Sequence, residues 1–177
     1  MNANLPPIEK VLFDEATIQK RVKELAEEIS ANYDDILAII VLKGSMFFAT
    51  DLLKSMTVPV EIDTMHLGSY GMKGAKSEAV RLNNDIKTSI EGRNVLIIED
   101  IVDTGKTMKY IHELFELRNP ASVKLCSLLS KPSQREIEID IDYLGFEIPN
   151  EFVVGYGFDY KERYRTLRDI VVMKLEE

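Results

Sequence analysis

Cysteine is nearly absent from this sequence. Cys126 is the only one, so an internal disulfide is excluded, and its place in the apolar pattern VKLCSLL marks it as a small buried hydrophobe. Histidine is almost as scarce: His66 and His112 have no partners at the spacing of a zinc site or a Ser-His-Asp triad, so both read as structural. Basic charge is in deficit, with 22 Lys and Arg against 30 Asp and Glu and a net charge of -8. That balance argues against broad binding to nucleic acid or anionic membranes, which need a basic surface. An anionic substrate must then be met by a local pocket. Long apolar runs are missing as well: Ile36 to Leu42 falls far short of the roughly 20 residues of a membrane span. The first residues, MNANLPPIEK, lack the basic and apolar blocks of a secretory signal, and the expectation is a cytoplasmic protein. Internal repeats, linkers and low-complexity stretches are absent, and 177 residues suit one domain with a sizeable core.

What is present alternates between strand and helix patterns. Lys10 to Phe13 reads as a strand, and Asp14 stands where a helix N-cap belongs. Ile18, Val22, Leu25, Ala26 and Ile29 then recur at helical spacing. Ile36 to Leu42 reads as a buried strand, Lys43-Gly44-Ser45 as a turn, Met46 to Met56 as a helix, and Val58 to Leu67 as a third strand. Gly68 to Ala79 carries three glycines and no apolar periodicity, which suits either a plain surface loop or a mobile flap. Arg81 to Leu82 and Asp85 to Ile86 read as weakly structured. A central strand, Asn94 to Ile98, precedes a loop and a helix that Asn119-Pro120 stops, and Ser122 to Ser130 is another buried strand closed by Lys131-Pro132. Tyr143 to Ile148, Phe152 to Gly155 and Asp169 to Lys174 read as strands of a smaller subdomain. Such alternation predicts an α/β fold, a twisted and mainly parallel sheet covered on both faces.

The stretch from Val95 to Met108, VLIIEDIVDTGKTM, carries the chemistry. An apolar strand runs into Glu99 and Asp100, then Asp103, then the small-residue turn Thr104 to Thr107 and a helix. Ligands of open α/β sheets bind just past the carboxyl ends of such strands. Gly105, Lys106 and Thr107 spell the end of a nucleotide-hydrolysing phosphate loop, but that motif opens on a glycine where this chain has Asp100 and Ile101. The turn still offers backbone N–H groups, hydroxyls and a helix start, all of which favour a phosphate. Glu99 and Asp100 offer only acceptors, which suit sugar hydroxyls or a hard cation such as Mg²⁺. The bland reading is that the three acids decorate a solvated loop.

VLIIEDIVDTGKTM closely resembles the phosphoribosyl-diphosphate-binding motif of the type I phosphoribosyltransferases, and Glu-Asp followed by Asp103 is the version of their 6-oxopurine branch. The resemblance extends to Val41 to Phe48, Ser69 with Tyr70, Lys131 with Pro132, and Asn150 to Arg165, nearly the whole chain. It implies that family's α/β fold, with a small hood built from about 1–13 and 143–177 and a mobile flap at about 68–80. It also implies an enzyme of purine salvage that moves the phosphoribosyl group to hypoxanthine or guanine, giving IMP or GMP and pyrophosphate.

By the same resemblance Thr104, Gly105, Lys106 and Thr107 cradle the 5′-phosphate, while Glu99 and Asp100 engage the ribose hydroxyls. Mg²⁺ is the implied cofactor, held by Glu99, Asp100 and Asp159. Asp103 matches the proposed general base beside purine N7; an Asx turn that only orders the loop is the alternative. Lys43 and Gly44 match the pyrophosphate loop, where the peptide before the lysine is often cis, although a Lys-Gly pair after a strand is also an ordinary helix start. Arg165 matches a further pyrophosphate ligand whose planar fork suits oxyanions. Lys131, a pure donor, suits a 6-oxo group and opposes a 6-amino group. Phe152 corresponds to the ring that stacks on the purine and Val153 to a carbonyl that accepts from it, and without the family both read as core residues. Asp159 also matches an acid near the purine 2-position, and Ser69 with Tyr70 the tip of a flap that closes against water. A homodimer or homotetramer with small-molecule substrates is implied, with no nucleic-acid or membrane partner. The rivals are a relative preferring xanthine or another base, and an RNA-binding regulator of the same fold, which Asp103 and the acidic charge oppose.

Overall fold

The computed structural model describes residues 7–70 and 79–174. Its elements run β1 (Ile8–Phe13), α1 (Glu15–Ser30), β2 (Ile36–Leu42), α2 (Met46–Ser55), β3 (Val60–Tyr70), β4 (Ala79–Asn84) and β5 (Asn94–Val102). There follow α3 (Lys106–Glu116), β6 (Ser122–Ser130), a 3₁₀ turn at Pro132–Gln134, β7 (Tyr143–Glu147), β8 (Val153–Val154) and β9 (Ile170–Met173). Asp14 caps α1 as its residue type predicts, its carboxylate accepting from Thr17 N at 2.8 Å. The five apolar residues read at helical spacing are the buried face of that helix.

The larger sheet has the order β4-β3-β2-β5-β6-β7, with every adjacent pair parallel except β3 with β4. Because successive strand side chains point to opposite faces, the unbroken apolar runs feed two cores. Ile36, Ala38, Leu96, Ile98, Cys126 and Leu128 face one way and are covered by Ile18, Val22, Leu25 and Ile29 of α1 and Phe48 and Leu52 of α2. Leu37, Ile39, Val41, Val95, Ile97 and Leu125 face the other way, under Met108, Ile111 and Phe115 of α3. Burying each large side chain of this kind contributes about 1.5 to 3 kcal/mol. The chain leaves β2 through α2 toward β3 on one side and leaves β5 through α3 toward β6 on the other. The crevice between the carboxyl ends of β2 and β5 is thus the topological switch point, where α/β sheets bind ligands.

Three elements differ from the expectation. Tyr143–Glu147 does not join the smaller sheet; it pairs parallel with β6 as the edge of the larger one. Tyr143 and Phe146 pack on the first core, and the Asp142 carboxylate accepts from Leu125 N at 2.9 Å, which holds the edge strand in register. The hood is therefore β1-β9-β8, and its C-terminal part starts after β7. Arg81 and Leu82 are strand rather than weakly structured, paired antiparallel with Gly68 and Leu67. The central strand also runs on past Ile98 to Val102, pairing Glu99 with Ser127 and Val102 with Ser130, so Glu99 and Asp100 sit on the strand end and not in a free loop. Of the expected flap, Gly68 to Tyr70 and Ala79 are strand backbone, and residues 71–78 lie outside the described residues. Among the described residues no helix is long and apolar enough to cross a membrane.

Candidate active site

A cavity of about 840 Å³ opens at that switch point. Lys43 and Gly44 at the end of β2, Glu99, Asp100 and Asp103 at the end of β5, the Thr104 to Thr107 turn, and Asp159 and Arg165 from the hood all line it. Every residue expected to hold phosphoribosyl diphosphate is in this one lining. Two helices begin at the cavity, and both start without the side-chain cap that closes α1. The Ser45 hydroxyl bonds back to Val41 O, and Gly105 has no side chain to offer. Met46 N, the first of α2, donates to Lys43 O at 3.2 Å, and Lys106 N, the first of α3, to Thr104 Oγ1 at 3.4 Å. The N–H groups that follow in α3, those of Thr107 and Met108, are the ones this helix start offers to whatever the cavity holds.

Gly105 is required where it stands. Its φ of +87° suits glycine, and a Cβ there would lie 2.4 Å from Ile137 O. Thr104 O accepts from both Glu136 N and Ile137 N at 3.0 Å, which clamps the turn against the segment after β6. The Lys106 ammonium is drawn 2.5 Å from Glu136 Oε2, so the helix start presents mainly backbone donors and the Thr104 and Thr107 hydroxyls. Asp103 is exposed in this turn and faces the cavity without an ion pair among the described residues.

The opposite wall is acidic at its base and cationic at its rim. Burial pushes the Glu99 carboxyl well above its ordinary pKa, and the neighbouring Asp100 charge pushes it further. Burial raises Asp100 as well, though hydrogen bonds from Glu99 and Ile101 and the charge of Arg165 oppose it. Gly44 lies so close that a Cβ would meet Asp100 Oδ2 at 1.6 Å, and a Cβ on Gly157 would meet Gly44 O at 2.0 Å. The hood segment thus rests directly on the turn after β2, whose Leu42–Lys43 peptide is cis. Lys43 Nζ reaches Glu162 Oε2 at 3.2 Å. Arg165 Nη2 lies 2.7 Å from Asp159 Oδ1 and 3.2 Å from Glu162 Oε2, while its Nη1 donates to Gly157 O at 2.7 Å.

Two adjacent, desolvated carboxylates fit a hard divalent cation, which takes one or two carboxylates and completes its shell with water and substrate oxygens. Asp159, expected as a third ligand, has one oxygen on Arg165 and the other accepting from Glu162 N at 2.8 Å. Among the described residues no group of three His, Cys, Asp or Glu side chains is placed to hold a metal.

The residues expected at the base are less gathered. Lys131 is buried beside the site, its N–H donating to Val102 O at 3.0 Å, but it is not part of the cavity lining. Val153 is buried in the first core and paired with Val172. Phe152 is exposed and meets the Tyr160 ring edge-on at 5.9 Å. Ser69 and Tyr70 are backbone partners of Val80 and Ala79 at the far end of β3. His66, read as structural, does line the cavity. Parallel pairing puts it there by setting His66 beside Leu42, a register that the sequence alone does not mark. Glu162 was missed altogether, a lone acid in a charged run.

The phosphoribosyl transferase domain family matches residues 10–161 of the chain. The hypoxanthine-guanine phosphoribosyltransferase of Bacillus subtilis is 50% identical over 169 residues, 94% of each chain. The hypoxanthine phosphoribosyltransferase of Haemophilus influenzae is 42% identical over 172 residues, 94% of this chain and 96% of that one. A crystal structure of a hypoxanthine-guanine phosphoribosyltransferase from Bacillus anthracis superposes with a TM-score of 0.90 at 39% identity, over 95% of this chain and 100% of that one.

Proposed function

From the premise that this chain belongs to the type I phosphoribosyltransferases, in the bacterial branch that acts on 6-oxopurines, we propose the following reaction. The 5-phosphoribosyl group passes from phosphoribosyl diphosphate to hypoxanthine or guanine, yielding IMP or GMP and pyrophosphate. The observation that carries this reading is the convergence of all the expected donor-binding residues, from three distant chain segments, on one cavity at the switch point.

The anomeric C–O bond to pyrophosphate breaks as a C–N bond to the purine forms, and positive charge grows at the anomeric carbon. Backbone donors from Thr104 to Thr107 hold the 5′-phosphate, and Glu99 and Asp100 accept from the ribose hydroxyls. Mg²⁺, when bound at Glu99 and Asp100, supplies compensation for the charge of the leaving pyrophosphate. Lys43 and Arg165 bind that pyrophosphate as donors. Asp103 takes the purine N7 proton, a contribution of about 10² to 10⁴ in rate. Lys131 donates to the 6-oxo group, Phe152 stacks on the ring and Val153 O accepts from it. An adenine amino group would set donor against donor at Lys131, a mismatch that can discriminate by as much as about 10⁴ to 10⁵. Ser69 and Tyr70 close over the donor to keep out water. The enzyme works in the cytoplasm as a homodimer or homotetramer.

An absorbance assay with phosphoribosyl diphosphate and Mg²⁺ tests this, offering hypoxanthine, guanine, xanthine and adenine separately, with Asp103→Asn beside the wild type. Hypoxanthine and guanine should turn over and adenine should not, and the variant should lose about 10² to 10⁴ in kcat. Turnover of adenine would remove the role of Lys131. A variant at the wild-type rate would reduce Asp103 to a loop residue.

A further inference from the structure

The tip of the Asp159 to Arg165 segment is a two-residue hairpin turn. Tyr160 and Arg163 exchange backbone hydrogen bonds at 3.1 and 3.0 Å, and the two residues between them, Lys161 and Glu162, take φ of 51° and 61°. Positive φ at both central residues is the geometry that matches strand twist in such turns. The turn hangs over the cavity because Gly157, a few residues earlier, rests on Gly44. Glu162 is thereby carried to the side chain of a residue 119 positions away, and its Oε2 lies 3.2 Å from Lys43 Nζ and 3.2 Å from Arg165 Nη2. A single carboxylate oxygen bridges the two cations assigned above to the leaving pyrophosphate.

We propose that Glu162 is an internal occupant of the pyrophosphate subsite, which neutralises Lys43 and Arg165 in the empty enzyme and gives way to the diphosphate of the donor. The proposal rests on the donor reading above. In this role Glu162 is a positioning residue that touches no reacting atom. Its carboxylate keeps the two cations directed at the cavity and competes with every diphosphate that enters, so it weakens donor binding and speeds release of product pyrophosphate. The opposing forces set the size of the effect. Both ion pairs are partly exposed, with 65% of the Glu162 side chain open to solvent, and such pairs are individually weak. Removing them should tighten a competing anion by roughly three- to ten-fold.

The test is calorimetric titration of the whole enzyme with pyrophosphate in Mg²⁺ buffer, without purine, for the wild type, Glu162→Gln and Glu162→Asn. Gln keeps the size and removes the charge, and Asn tolerates the left-handed backbone well while being too short to bridge both cations. Both variants should bind pyrophosphate roughly three- to ten-fold more tightly, with a matching fall in KM for phosphoribosyl diphosphate, no change in KM for the purine, and no rise in kcat. The gap should narrow as salt is raised, since exposed charges are screened. Unchanged or weaker pyrophosphate binding in both variants would overturn the proposal and leave Glu162 as a loop-ordering residue. A wild type that binds neither pyrophosphate nor phosphoribosyl diphosphate would overturn the donor reading and this proposal together.

Discussion

Replacing Gly44 with alanine places a methyl carbon 1.6 Å from Asp100 Oδ2 and 2.6 Å from its Cγ, far inside any permitted contact. The obstructing atoms end a side chain, so the backbone need not break: Asp100 can turn aside. To restore ordinary contact Oδ2 must retreat by about 1.8 Å, and turning the carboxylate disturbs the hydrogen bond that its other oxygen, Oδ1, accepts from Ile101 N at 2.7 Å. Crowding of this kind costs about 1 to 3 kcal/mol of stability. The functional cost is larger in proportion, because a misplacement of about 1 Å in a catalytic group can lower the rate by about 10²-fold. Gly44→Ala should therefore lose about 10² or more in kcat/KM with hypoxanthine, while urea unfolding shows a loss of only about 1 to 3 kcal/mol. Gly157→Ala makes the contrast. There the methyl meets backbone, Gly44 O at 2.0 Å, at a φ of +107°, and the loss of stability should reach about 3 kcal/mol or more. Gly44→Ala with wild-type turnover, or with the larger stability loss of Gly157→Ala, would refute the placement of Asp100 against this turn.

Two further substitutions test the scaffold. Burial opposes the charge of Asp63, but the N–H groups of Thr88, Thr64 and Lys87, at 2.7 to 2.8 Å, hold its pKa below the ordinary value. A lowered folded-state pKa stabilises above the unfolded value of about 3.9 and stops doing so as pH falls through the folded one. Asp63→Asn should cost about 1 kcal/mol in urea unfolding at pH 7, with the difference closing below about pH 4; a gap that persists at pH 2 would contradict it. The Tyr156 hydroxyl donates to Asp51 Oδ2 at 2.7 Å, which also accepts from Gln19 Nε2 at 2.5 Å, tying the hood to both helices of one face. Tyr156→Phe should lower the unfolding free energy by about 1 to 2 kcal/mol and leave turnover unchanged, since it lines no part of the cavity.

Residues whose role is local were readable in the sequence. Asp14 caps its helix because a carboxylate beside a free helix start has an obvious partner three residues on. The strands of both cores follow from unbroken apolar runs. The acid-rich strand end and its glycine turn were readable because the motif is contiguous. Features made by tertiary pairing were not. Tyr143–Glu147 has the same apolar alternation in either sheet, and only the bond from Leu125 N to Asp142 and packing on the first core assign it to β6. Arg81 and Leu82 gain their strand from β3, not from their own propensity. Glu162 carries no local mark: its meaning comes from Lys43, and that meeting depends on two glycines packed across the chain. Arg165 was readable by family, and Asp159, expected near a metal or the purine 2-position, lies in this structure against its guanidinium, a pairing that no sequence pattern marks.

The bond from Lys131 N to Val102 O makes a ruler of the sheet. The strand that ends in the acidic turn and the strand that runs into Lys131 are immediate neighbours, and the spacing of hydrogen-bonded strands, about 4.8 Å, is set by backbone chemistry that no side-chain substitution alters. The interval between the acidic strand end and the backbone at position 131 is then a constant of the architecture. On the reaction proposed above, a change of residue at position 131 alters which base is accepted without moving the backbone that holds the sugar, so a scaffold of this kind can change its choice of base in single steps.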